Sequence, residues 1–392
     1  MKFKVNSRVL STFLAGGLIL LGSVLAIQYA QGKYRFTQQG LSRETGLLAA
    51  NSFPPGAQIY IDGDLTSATD DTLYLKPGEY LIELKKDGYS PWQKKLRIQK
   101  ELVTQTNAQL FPIAPSLTPL TFTGVENLSI SPDGQKILYY TASASAQSNN
   151  GLFVTTLNDS IIPFRSSSQI AIDQANIDLK SAQFIWSPDG SLVIMITPDK
   201  EYLLDLSKKN DLASLPDVSS QKANLLTAWD EELILKNEQF LDKFPDEVIE
   251  LASASATNIY FSPDRKRLLY TATADLILKD DLLPPVPAAN NQPENRAIKA
   301  ENTYIYDREE DKNFLLGSTT TGYQWFSDSK HVIYQNNGAI RIKSYDGSND
   351  TLIYSGPFSP DFLFPSPDGR RLLILTSFSS DSPPNLYALE LK

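Results

Sequence analysis

The chain carries one histidine, His331, no cysteine, and 45 aspartates and glutamates. That inventory narrows its chemistry at once. Conventional zinc sites draw on several Cys and His side chains, and this sequence offers one such ligand. A histidine can act as base to a serine nucleophile, but no G-x-S-x-G elbow accompanies it. In "SKHVIYQ", His331 reads as a strand residue just after a turn. Calcium needs only oxygen ligands. Asp62, Asp64, Asp70 and Asp71 gather in "YIDGDLTSATDD", yet their spacing misses the EF-hand loop, and a solvated hairpin is expected. Glycoside hydrolysis needs two carboxylates at a set separation, and no spacing here singles out a pair. The expectation is a chain with no catalytic residue, no cofactor and no metal site.

One set of acids does recur. Asp133, Asp189, Asp264, Asp328 and Asp368 sit in "ISPDGQKILYY", "WSPDGSLVIMI", "FSPDRKRLLYT", "FSDSKHVIYQ" and "PSPDGRRLLIL". A ring of such carboxylates could bind a cation or a basic ligand. The local chemistry points elsewhere. Pro presets its own φ, Asp accepts bonds from nearby backbone N–H groups, and Gly supplies a positive φ. These five are expected to build turns between two apolar strands. Trp186, Trp229 and Trp325 each stand where a repeat turn begins and are expected to pack between repeats. Trp92, after "KDGYSP", is the better candidate for an exposed ligand contact.

The elements around those turns are short, alternating apolar segments broken by Gly, Pro and Asp, the all-β signature. Each repeat reads strand, tight turn, strand, loop, strand, then a weaker fourth strand. A four-stranded blade takes roughly 40–45 residues. The interval from Ser187 to Ser262 is too long for one, and residues 225–244 offer Trp229-Asp230 in place of the turn. Counting that segment gives six units spaced by about 47 residues, with seven as the alternative. The last unit shows three strands, while an orphan strand at 116–122 precedes the first. That strand is expected to complete the last blade and remove an open edge. Residues 280–302 read as an exposed insertion within a blade, and residues 142–150 as a small polar hairpin connection. These repeats resemble the bacterial relatives of WD-type propeller repeats found in the periplasmic propeller of the Tol system. The resemblance implies a β-propeller over 113–392.

Upstream, residues 46–112 show "PPGAQIYIDG", "LKPGEYLIEL" and "KDGYSPW" in that order. This stretch resembles the PEGA family of small extracytoplasmic β-sandwich modules. "PPGA" stands where the namesake Pro-Glu-Gly-Ala would be. The resemblance implies a surface or envelope module and carries over no catalytic residue.

The N-terminus is the strongest local signal. Residues 9–27 carry no charge and, at about 1.5 Å per residue, reach the thickness of a bilayer's hydrocarbon core. Lys2, Lys4 and Arg8 precede the run, and no acid occurs before Glu44. The positive-inside rule places residues 1–30 as a cytoplasmic stub and transmembrane anchor, with the bulk of the chain extracytoplasmic. A cleaved signal peptide is the rival, but the run is long for one. Residues 31–45 read as a linker. The net charge of −9 argues against nucleic acid as a partner. The leading expectation is a non-enzymatic, membrane-anchored envelope protein: a sandwich, then a propeller that binds protein or cell-wall glycan. The alternatives are an envelope hydrolase using carboxylates in the propeller channel, and a purely structural spacer.

Overall fold

The computed structural model describes residues 7–30, 34–37, 40–43, 45–142, 144–157, 167–284, 286, 290–318, 322–379 and 382–392. Helix α1 covers Ser7–Ala30. Its side chains at Leu18, Ile19, Leu20, Leu21, Val24, Leu25 and Ile27 are all exposed. Among the described residues, no helix is long and apolar enough to cross a membrane. The segment expected as a linker contains an antiparallel hairpin, Tyr34–Thr37 with Gly40–Arg43. The chain divides into two compact units: residues 1–87, 91–110 and 286–292, and residues 88–90, 111–285 and 293–392.

Two sheets of three or more strands build the first unit among the described residues. Asp64–Ala68, Gln58–Ile61, Gly78–Lys85 and Trp92–Ile98 lie side by side, all antiparallel. Val103–Gln105, Gly46–Ala50 and Asp71–Leu75 form the other, with the first pair parallel. Asp62 and Gly63, both at positive φ, make the two-residue turn that suits a twisted hairpin. Alternation turns Leu48, Ala50, Ile59, Ile61, Ile82 and Leu84 inward, where they are buried. The same parity corrects the expectation for Trp92. It shares a strand face with Leu96 and Ile98, lies opposite Leu84, and is 6% exposed. It is a core residue.

The second unit contains five sheets of the repeat type among the described residues. The first is Glu126–Ile130, Lys136–Thr141, Gly151–Thr156 and Ser168–Ile172. The second has three strands, Gln183–Trp186, Leu192–Ile196 and Glu201–Asp205. The third is Ala256–Phe261, Arg267–Ala272, Asn302–Asp307 and Lys312–Ser318. The fourth is Gln324–Trp325, His331–Asn336, Ala339–Ser344 and Thr351–Tyr354. The fifth is Leu363–Pro365, Arg371–Thr376 and Asn385–Glu390, with Leu117–Pro119 as its fourth strand. That last pairing is the expected latch. Leu117 faces Leu389, Thr118 faces Ala388 and Pro119 faces Tyr387.

Residues 225–244 depart from expectation. They belong to helix α2, Lys222–Leu241, and its exit, followed by helix α3, Asp246–Ala254. The α2 stretch contains neither Pro nor Gly and is rich in Leu, Ala, Glu, Lys and Gln, the strong helix formers. Trp229-Asp230 imitates a repeat turn in a segment that has neither the Pro nor the Gly of one. The segment counted as an additional repeat is therefore helical. In α3, Asp246 and Glu247 complement the helix dipole, while Val248, Leu251 and Ala252 bury against Leu268, Tyr270 and Tyr304 of the third sheet. The expected insertion lies between the second and third strands of that sheet. Its Ala297–Ile298 pairs with Leu276–Ile277, just ahead of it, in a two-stranded ladder.

Neighbouring sheets share apolar cores. Sheets one and two meet around Leu138, Leu152, Trp186 and Val193. Sheets five and one meet around Ile137, Tyr139, Leu373 and Leu386. Sheets three and four meet around Leu269, Ile305, Val332 and Tyr334. Sheets four and five meet around Ile333, Ile342, Leu372 and Leu389. Arg267 pins the third pair of neighbours. Its Nε donates to Asp307 at 2.7 Å, one terminal nitrogen donates to the Ser329 carbonyl at 3.1 Å, and the guanidinium lies 4.1 Å from the Tyr345 ring centre.

Candidate functional site

The aspartates of the repeat turns are held by bonds within their own turns. Ser131 donates its hydroxyl hydrogen to Asp133 at 2.5 Å, and Ser187 and Ser262 donate theirs to Asp189 and Asp264, each at 2.6 Å. Ser366 donates to Asp368 in the same way. Each carboxylate also accepts a backbone N–H two residues on. The serine oxygen in turn accepts from the backbone N–H five residues on, at 2.9–3.0 Å. The fourth turn has Phe326 in the serine's place. There Asp328 itself accepts from the Lys330 and His331 N–H groups, and its other oxygen meets His331 Nδ1 at 2.7 Å. Burial acts to raise the Asp328 carboxyl, but the charge and hydrogen bond of His331 outweigh it and hold it down to about 2. His331 is thus a turn partner, set edge-on to Phe111. The five aspartates are turn-builders, as their local chemistry required.

The turns also tie sheet to sheet. Asp264 N donates to Ser329 Oγ at 2.9 Å, Ser327 Oγ donates to the Ser366 carbonyl, and Gly190 sits against Ser131 and Asp133. Its φ of 64° is the left-handed conformation that the turn's fourth position demands, and Gly134 and Gly369 share it. The tryptophans before the turns follow one rule. Trp186 donates its indole N–H to Ser129 Oγ on the preceding sheet at 2.8 Å, and Trp325 donates to the Tyr260 carbonyl at 3.0 Å. Trp229 lies on α2 instead.

A cavity of about 630 Å³ opens where the first strands of the third, fourth and fifth sheets converge. The side chains two residues before the turn, Tyr260, Gln324 and Phe364, all line it. So do Asn258 and Gly322, four residues before. A strand's period of two puts those positions on one face. Phe261, Tyr323, Trp325, Leu269, Thr271, Thr303 and Pro132 complete the wall. No Asp, Glu, His, Lys or Arg lines it. Behind the wall, Lys343 is buried between the rings of Tyr323 and Tyr334, with Nζ 4.7 and 4.8 Å from their centres. It donates to the Leu316 carbonyl at 2.5 Å and to the Tyr323 hydroxyl at 3.2 Å. Burial pushes its ammonium down to about 8. Sequence reading missed Tyr260, Gln324, Asn258 and Phe364. The available signal was their fixed offset from turns already recognised.

A second recess, of about 460 Å³, is polar and includes Asp173, Asp178 and Asp199. Asp173 accepts the Tyr140 hydroxyl at 3.1 Å. Asp178 accepts from Ser181 and two backbone N–H groups. In the first unit Asp71 accepts from Ser67 and Thr72, Asp62 from the Leu81 N–H and Asp70 from the Ser52 N–H. Among the described residues no group of three or more His, Cys, Asp or Glu could hold a metal ion.

No curated protein sequence matches the chain. Solved structures similar to it include a TolB from Agrobacterium tumefaciens, 15% identical, covering 68% of this chain and 78% of that one, with a TM-score of 0.23. An acylaminoacyl peptidase from Pyrococcus horikoshii is 15% identical, covers 69% and 39%, and has a TM-score of 0.22. An oligogalacturonate lyase from Vibrio parahaemolyticus is 10% identical, covers 88% and 98%, and has a TM-score of 0.26. The propeller reading rests on this chain's own sheets, not on those scores. One family match is local: residues 45–113 match the PEGA domain.

Proposed function

We propose that this protein is a non-enzymatic binding scaffold of the cell envelope. Residues 9–27 hold it in the membrane with the N-terminus cytoplasmic, the PEGA domain lies outside, and the propeller binds an envelope protein or cell-wall glycan. The uncharged run behind Lys2, Lys4 and Arg8 supports the anchor. The apolar side chains of α1 from Leu18 to Ile27, exposed among the described residues, support it too.

The observation that carries the binding role is the cavity where the third, fourth and fifth sheets converge. It is concave, aromatic, and falls within the roughly 300–1,000 Å³ typical of ligand sites. A hydrolase working in this cavity would need a pair of carboxylates there, and none lines the wall.

The test uses the full-length chain in lipid nanodiscs. It should bind isolated envelope material saturably, and Tyr260→Ala should weaken that binding. Recovery of the native protein from the soluble cytoplasmic fraction would overturn the anchor. Envelope binding unchanged by Tyr260→Ala would overturn the cavity's role.

A further inference from the structure

The scaffold reading leaves the ligand's chemistry open, and a comparison inside the molecule narrows it. Asn127 and Asn258 occupy the same position in the first and third sheets, four residues before the turn serine. Both sit at a strand irregularity and both have positive φ, 46° and 51°. The Asn127 amide is consumed by the fold. It donates to the carbonyls of Leu179 and Ala182, at 2.8 and 2.7 Å. The Asn258 amide has no hydrogen-bond partner among the described residues, is exposed, and lines the cavity. Gln324 on the next sheet is likewise exposed, without a side-chain partner among the described residues, and on the same wall. The Tyr260 hydroxyl likewise has no hydrogen-bond partner among the described residues, on a side chain 54% exposed. Around these groups stand the aromatic side chains of Trp325, Phe364 and Tyr260, with the Trp325 ring fixed by its bond to the Tyr260 carbonyl.

Resting on the scaffold reading, we infer that the cavity binds an uncharged saccharide. Two free amides and a phenol match the paired donors and acceptors of vicinal hydroxyls or acetamido groups. Aromatic faces match the apolar C–H faces of a pyranose ring, giving buried area with fixed geometry. An anionic sugar would bring a carboxylate to a wall with no cation on it, at a desolvation cost nothing there repays. A basic ligand would meet no carboxylate.

The experiment titrates the full-length protein in nanodiscs, since a maltoside detergent would compete. The probes are cellotriose, maltotriose, triacetylchitotriose, trigalacturonate and a proline-rich peptide, read by calorimetry and tryptophan fluorescence. At least one neutral trisaccharide should bind saturably, and trigalacturonate should bind at least about tenfold more weakly than that trisaccharide. Tyr260→Ala, Asn258→Gly and Gln324→Ala should each weaken the neutral sugar by about tenfold, the cost of a lost hydrogen bond or contact. All three side chains are exposed, and glycine accepts the positive φ at 258, so melting temperatures should hold. Failure of every neutral sugar to bind, or binding unchanged in all three variants, overturns the inference. Binding of the peptide alone, lost in Tyr260→Ala, overturns the saccharide class and leaves the scaffold reading standing.

Discussion

At one seam of the propeller a strand completes a sheet; at another, two helices stand where a sheet was expected. The latch strand Leu117–Pro119 pairs with Asn385–Glu390. Around it, Leu120 N donates to the Leu386 carbonyl at 2.8 Å and Glu390 N donates to the Ser116 carbonyl at 3.0 Å. Asn385 Oδ1 accepts from Gly124 N and Thr121 Oγ1. Each bond joins residues more than 260 positions apart, so the seam forms only when the ring does. The helical seam works differently. Helices satisfy their backbone internally and need only apolar cover. Helix α3 finds that cover on the third sheet, whereas α2 has no buried residue. Its C-terminal end reaches the third sheet, where Phe240 meets Phe261. Its N-terminal end reaches the second, where Lys222 meets Glu201. The difference predicts where the ring gives way: the latch with the cooperative core, and α2, which has no buried residue, by local opening.

The largest expected effect lies at the latch. Leu389 is fully buried beside Leu372 and Ile374, so Leu389→Ala should cost about 2–5 kcal/mol of stability in urea denaturation. A loss below about 1 kcal/mol would mean that the latch strand is not coupled to the core. The next effect lies in α2. Ala228 is exposed, and Ala228→Pro should cost the helix about 3 kcal/mol. Because α2 opens on its own, that cost should appear as faster amide exchange across residues 225–240 with little change in the global melt. A melt shifted as far as by Leu389→Ala would break the comparison.

The two seams also differ in how well the sequence announced them. The latch was legible because strand bookkeeping is local: three strands in the last unit, one orphan ahead of the first, and pairing as the only way to satisfy both edges. The repeat turns were legible for the same reason, since Ser, Pro, Asp and Gly act within six residues. The helical seam was not, because Trp229-Asp230 matched the pattern at two positions while the missing Pro and Gly around it went unweighed. Trp92 was misjudged because its exposure depends on strand parity, fixed by Leu96 and Ile98 downstream rather than by the turn before it. The cavity was hidden for a further reason. Asn127 and Asn258 are equivalent in sequence position, and only packing decides that one is spent on a neighbouring sheet while the other stays free.

The smallest expected effect tests how α2 is tethered. Lys222 Nζ lies 2.6 Å from Glu201 Oε1, with both side chains partly buried. The other Glu201 oxygen is buried without a hydrogen-bond partner among the described residues, so the carboxylate depends on this lysine more than a surface acid would. Partly exposed pairs contribute about 0.2–1 kcal/mol. A double-mutant cycle with Glu201→Gln and Lys222→Met should place the coupling near the upper end of that range, because either single change leaves a half-buried polar group behind. Salt screens such a pair, so amide exchange in the first turns of α2 should quicken at high ionic strength while the latch amides stay protected. Coupling near zero, with exchange indifferent to salt, would leave Phe240 and Phe261 as the main hold on α2 and make its N-terminal end the first point at which the seam opens.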